Sequence, residues 1–158
     1  MCDYSLMCVP NRLAKEHENL VMHRFPTGPL GFASSYELEQ VNRAMAARCS
    51  GFWRKLRNFF AQPDDAQVPA VCVPPGARLK LEGIPRHVQT KWHIGPAEEV
   101  TFTQLSAAAN TYRDAVRFKH RGHPLLLQEL KEGVRANVLD LSLASEYEPH
   151  PEEFSRSA

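Results

Sequence analysis

The sequence predicts a mainly β protein, α+β by content: an antiparallel sandwich or small barrel of about seven strands carrying one amphipathic helical insertion. Three observations carry this. Short runs of alternating apolar residues recur from residue 68 onward. Clusters of proline and glycine separate them. A single stretch, 34–62, instead repeats its apolar residues at three- and four-residue spacing, the period of a helix rather than a strand.

The elements follow in chain order. Leu20 to Phe25 reads as the first strand. Ser34 followed by Glu37 has the spacing of a capping box, and Leu38, Val41, Met45, Cys49, Phe52, Leu56 and Phe59 then form one helical stripe. Ser50-Gly51 interrupts it, and glycine costs about 1 kcal/mol relative to alanine inside a helix, so a kink or a pair of helices is expected. Pro63 to Pro69 reads as an irregular connection.

Val71 and Val73 flank Cys72, and Pro74-Pro75-Gly76 ends that run. Ala77, Leu79 and Leu81 alternate with Arg78, Lys80 and Glu82, the pattern of a half-buried strand. Pro85 to Lys91 suggests a helical turn, and Val100 and Phe102 alternate with threonines. Tyr112, Asp114, Val116 and Phe118 share one strand face, with Arg113, Ala115 and Arg117 on the other. The turn-forming stretch 119–124, with Gly122 free to take positive φ, leads into Leu125 to Leu130. Lys131-Glu132-Gly133 turns the chain into a last strand from Val134 to Leu141. One domain over 1–143 is expected, followed by an acidic, disordered tail over 144–158.

Composition narrows the function classes. The 158 residues are 43% hydrophobic and 23% charged, with a formal net charge of +1. No whole-molecule field directs the chain to nucleic acid. The opening segment lacks a basic region and an apolar run of a secretory signal, and no apolar run is long enough to span a bilayer. A cytoplasmic setting is therefore expected, with Cys2, Cys8, Cys49 and Cys72 held as thiols.

Three sets of residues carry chemistry. The first is the basic aromatic helix over 43–60. Arg43, Arg48, Arg54, Lys55 and Arg57 are unopposed by any acidic residue between Val41 and Gln62, and Phe52, Trp53, Leu56, Phe59 and Phe60 supply apolar surface. Such a helix fits a protein groove or an anionic membrane surface. The bland alternative is that its apolar side packs on the domain's own sheet. Partner contacts are expected at Arg48, Phe52, Trp53, Arg54, Lys55, Leu56, Arg57 and Phe60.

The second is a thiolate site. Cys2, Cys72 and His23 would converge if their strands are neighbours, offering ligands suited to zinc or copper(I). No paired Cys-x-x-Cys spacing accompanies them. Buried structural cysteine is the competing reading. Removal of Met1 would also make Cys2 an N-terminal cysteine, whose amine and thiol together suit a nucleophile. The third is Asp114, whose carboxylate shares a strand face with Tyr112, Val116 and Phe118; if that face is the core, it needs a cation or a donor such as Tyr4, Gln104 or a backbone amide. A satisfied structural carboxylate competes with a catalytic one there, and an enzyme is the weaker expectation.

Met1-Cys2-Asp3-Tyr4-Ser5-Leu6, Ala70-Val71-Cys72 with Pro75-Gly76, and Asp114-Ala115 through Phe118 resemble a family of small uncharacterised bacterial proteins. The resemblance implies a bacterial cytoplasmic setting and no catalytic activity. Its shorter members lack a segment like 34–62, in keeping with an insertion.

Overall fold

The computed structural model describes residues 9–26, 28–48, 68–105, 112–120 and 123–145. Nine strands run through them: β1 (Asn11–Leu13), β2 (Asn19–Arg24), β3 (Leu30–Ser34), β4 (Ala70–Cys72), β5 (Arg78–Glu82), β6 (Ala97–Gln104), β7 (Asp114–Phe118), β8 (Leu125–Leu126) and β9 (Arg135–Asp140). Two helices accompany them, α1 (Ser35–Arg48) and α2 (Arg86–Trp92), with short 3-10 turns at Leu127–Glu129 and Ser142–Ser145. The strands form one sheet in the order β1-β4-β3-β2-β9-β5-β6-β7-β8, curled into a half-barrel. Every pairing is antiparallel except β1 with β4.

The expectation of about seven strands in a sandwich or closed barrel is corrected on two counts. The sheet is single, with β1 and β8 at its ends. It also contains two strands that the alternation pattern misses. β3 is buried at all five residues, because the inner core covers one face and α1 the other, so no polar residue alternates along it. β1 has three residues, too few for a period to show.

The concave face is filled by the protein's own side chains. Leu20, Met22, Phe32, Leu79, Leu81, Phe102, Val116, Leu125 and Val138 are all buried there, each fully buried leucine contributing about 1.5–3 kcal/mol. α2 closes one end, with Val88 buried and Trp92 packed against the cluster. On the opposite face, Val9, Phe25, Ala33, Val68 and Ala70 make a second small cluster that receives Leu38 and Val41 of α1. The Lys131–Gly133 turn forms as expected: Gly133 takes φ +89°, a left-handed conformation that disfavours any residue with a Cβ, and its N–H donates to Met22 O at 2.8 Å.

The helical insertion begins where expected, at Ser35, but its capping box does not form. Ser34 is the last residue of β3 and is 4% exposed, and its side chain hydrogen-bonds Glu18. Glu37 instead accepts from Arg12 Nε at 3.0 Å. Residues 49–67, and the acidic tail from 146, lie outside the described residues. No helix among the described residues is long and apolar enough to cross a membrane.

Candidate functional site

α1 is held to the sheet at its beginning only. Leu38 and Val41 are half-buried against β3 and β4. The next five residues, Asn42 to Ala46, are all exposed. Five consecutive residues cover every side of a helix at 3.6 residues per turn, so α1 stands clear of the body in all directions over Asn42 to Ala46. Met45 belongs to the same apolar stripe as Leu38 and Val41, yet it is 50% exposed. The stripe thus leaves its own core while still inside the helix. Tyr36, 70% exposed, lies on the far side, where its hydroxyl accepts from Gln40 Nε2 at 2.9 Å. Arg43 pairs with Glu39 at 3.1 Å in an exposed (i, i+4) pair, a contact of a few tenths of a kcal/mol, about 0.3–0.5. Of the expected partner-contact residues, Arg48 is the last of α1. Phe52, Trp53, Arg54, Lys55, Leu56, Arg57 and Phe60 lie outside the described residues.

The entry of this helix is fixed by an ionic knot that sequence reasoning missed. Arg12, on β1, donates to both oxygens of Glu18 and to Glu37 Oε1, joining an edge strand, a turn and the first turn of α1. Its remaining contact is to Leu13 O at 3.1 Å. The hydrogen bond to Glu18 raises the guanidinium pKa most, and burial works against it. Burial opposes ionisation of Glu18, but hydrogen bonds from Arg12 and the Lys15 N–H outweigh it and hold the carboxyl below its usual value. An arginine with two acidic residues at six and twenty-five positions' distance has no sequence signature, because only the fold brings them together.

On the helix-side face, His23 and Cys72 of the expected metal site share one row of the sheet without meeting. His23 lies opposite Gly31 on the neighbouring strand. Continuing the Ala33–Ala70 register by two residues places Cys72 opposite Gly31 from the other side. His23 and Cys72 therefore flank a glycine in one row of one face, two strand spacings or roughly 10 Å apart in backbone. The His23 ring stands edge-on to Phe25 at 5.1 Å, and its Nδ1 is 3.4 Å from Glu132 Oε1. Cys72 is 6% exposed and disulfide-bonded. This corrects the expectation of a reduced thiol at that position: the inference from compartment weighs the redox poise of the surroundings, not the pairing of a particular sulfur. A cystine sulfur is not a thiolate, and a thiolate is what zinc and copper(I) require. Among the described residues no three His, Cys, Asp or Glu side chains gather at a distance that would hold a metal. Cys2 lies outside them.

Asp114 opens β7 and is half-buried. Its Oδ1 accepts from Gln104 Nε2 at 2.9 Å, across the β6–β7 ladder in which the two residues are register partners. Gln104 is one of the donors expected from the strand alternation. Tyr112, on the same side, is 50% exposed.

Comparison with protein-family models, with curated proteins and with solved structures finds no match to this chain.

Proposed function

We propose that the chain is a small cytoplasmic β-rich binding module whose contact surface is the basic aromatic helix over 43–60, presented as an arm by the half-barrel. The observation behind this reading is the departure of α1 from the sheet: its apolar stripe is seated at Leu38 and Val41 and exposed at Met45. A stripe that continues through Phe52 and Leu56 without its own sheet beneath Met45 suits another surface. The flanking cations suit an acidic one. The concave face, filled by its own side chains, leaves the outside of the molecule as the place for recognition. The bacterial setting implied by the resemblance belongs to the same reading.

The test is a Trp53→Glu, Phe60→Glu double variant of the full chain. Two readouts are compared with wild type: co-sedimentation with phosphatidylcholine vesicles with and without phosphatidylglycerol, and photocrosslinking in cells from a probe at position 56. Loss of either signal with unchanged circular dichroism supports the reading. Survival of both, or absence of both in wild type, ends it.

A second reading, a metal or thiol site at Cys2 and Cys72, rests on Cys72 and His23 sharing one row of one sheet face and requires the disulfide at Cys72 to be reduced. Reduction would free a thiolate on the face that also carries His23. Elemental analysis of reduced protein decides it: stoichiometric zinc or copper that is lost in Cys72→Ser supports the site, and metal-free protein removes it.

A further inference from the structure

We infer that Cys72 is paired with Cys2, and that the pair is a reversible thiol–disulfide fastening of the chain's first residues to β4. Cys72 is disulfide-bonded, and the sequence offers three partners, Cys2, Cys8 and Cys49. The geometry around β4 separates them.

Cys8 is held out of reach by its neighbour. Val9 is buried with Val68 and Ala70, and Pro10 O accepts the Ala70 N–H at 2.7 Å. β1 runs parallel to β4, with Asn11 opposite Ala70 and Leu13 opposite Cys72. Two residues back along that ladder Val9 is level with Val68, four strand residues or roughly 13 Å from Cys72. One Cα step of about 3.8 Å leaves Cys8 outside the roughly 7 Å that a disulfide spans. Cys49 is carried away by α1. By Arg48, its last residue, the helix has run roughly 10 Å past Val41, over a stretch, Asn42 to Ala46, that is exposed on every side. Met45, on the stripe that Leu38 and Val41 seat on the sheet, is 50% exposed. Neither constraint applies to Cys2. It stands seven positions before Val9, and a chain of that length spans up to about 25 Å, enough to return to Cys72.

The sheet around Cys72 does not depend on the bond. β4 is held by β3 on one side and β1 on the other. The Cys72 carbonyl accepts the Ala14 N–H at 2.9 Å, and Val71 and Val73 on either side of it are buried in the main core. Opening the bond therefore releases the start of the chain and leaves β4 in place. Cys72 is 6% exposed, so an incoming thiolate attacks the sulfur of Cys2. When glutathione attacks there, the S–S bond breaks, Cys72 leaves as a thiolate and takes up a proton, and Cys2 carries the mixed disulfide. A second glutathione thiolate then displaces Cys2, so that two glutathiones are oxidised to one glutathione disulfide and the protein gains two thiols. In the cytoplasmic setting of the reading above, disulfides are transient and redox-sensing rather than permanent. The reversibility rests on that setting, and the pairing does not.

Chymotryptic digestion of the unreduced full chain, cutting after Tyr4 and Leu6, separates Cys2 from Cys8, and mass spectrometry reads the linked pair. A Cys2–Cys72 peptide is expected. One joining Cys72 to Cys8 or Cys49 overturns the pairing. In unfolded, unreduced protein Cys72 should become open to alkylation in Cys2→Ser and stay protected in Cys8→Ser and Cys49→Ser; protection that survives Cys2→Ser overturns the pairing as well. In glutathione buffers stepped from oxidised to reduced, the native chain should open and close reversibly, with the adduct on Cys2 and circular dichroism unchanged. A bond that opens only after unfolding in urea, or an adduct on Cys72, overturns the switch while the peptide map still stands, which separates failure of the cytoplasmic reading from failure of the geometry.

Discussion

The side-chain amide of Gln128 occupies the place of a missing strand beside Leu30. Its Nε2 donates to Leu30 O at 2.8 Å and its Oε1 accepts the Leu30 N–H at 3.1 Å. Pro29 O accepts the Phe25 N–H within the β2–β3 pairing, so the groups of Leu30 point away from β2 by strand alternation. β4 ends at Cys72 and does not reach them. Gln128 returns from the opposite end of the half-barrel and satisfies both.

Gln128→Leu should therefore cost about 2–4 kcal/mol, since two backbone groups of a buried residue lose their partners at about 1–3 kcal/mol each, less some hydration. Urea denaturation measures it. Gln128→Glu should fall between, keeping an acceptor for the N–H while setting a carboxylate against the Leu30 carbonyl. A leucine variant within roughly 0.5 kcal/mol of wild type would mean the clasp is idle.

Stability should fall on acidification through the Arg12 knot. The Glu18 carboxyl titrates below its ordinary 4.5 in the folded state. Its contribution is thus complete above the unfolded-state value and is lost as pH drops from about 4.5 through the folded value. Asp140, lowered by hydrogen bonds from the Ser142 hydroxyl and N–H, acts in the same direction from 3.8 downward. Glu18→Gln should lower stability at pH 7 and flatten the dependence below pH 4.5. An unchanged acid limb in this variant counts against the knot. Arg12→Lys should not rescue it, because an ammonium cannot bind both oxygens of Glu18 and reach Glu37 in the same geometry.

The departure point of α1 can be mapped by truncation. Val41→Ala should destabilise by about 1 kcal/mol, and Met45→Ala should change stability by no more than roughly 0.5 kcal/mol. Equal costs at the two positions, read from thermal unfolding, would place Met45 against a surface of its own.

Cys72 should resist alkylation in unfolded, unreduced protein and react fully once a reductant is added, as read by peptide mass. Complete modification without reductant would contradict the disulfide.

Each strand expected from alternation has a counterpart in the sheet, because alternation reports one dry face and one wet face, and that is how β5, β6, β7 and β9 are placed. β3 escaped because both its faces are dry. The run Leu125 to Leu130 suggests one extended segment, but only Leu125–Leu126 pairs with β7 before the chain tightens into a 3-10 turn. Its apolar residues mark burial without fixing the period. The Asp114–Gln104 contact was within reach because register follows from the β6–β7 hairpin. The Arg12 knot and the Gln128 clasp were not, since each joins strands whose adjacency no local pattern records.

Ala33 stands opposite Ala70 in the sheet, so everything between β3 and β4 leaves and re-enters the body at a single gate. Closing such a detour depends only logarithmically on its length, and doubling it costs about 0.6 kcal/mol. The half-barrel is thus tolerant of the excursion's length beyond Val41, while Glu37, Leu38 and Val41 stay tied to the frame by the Arg12 knot and the second cluster.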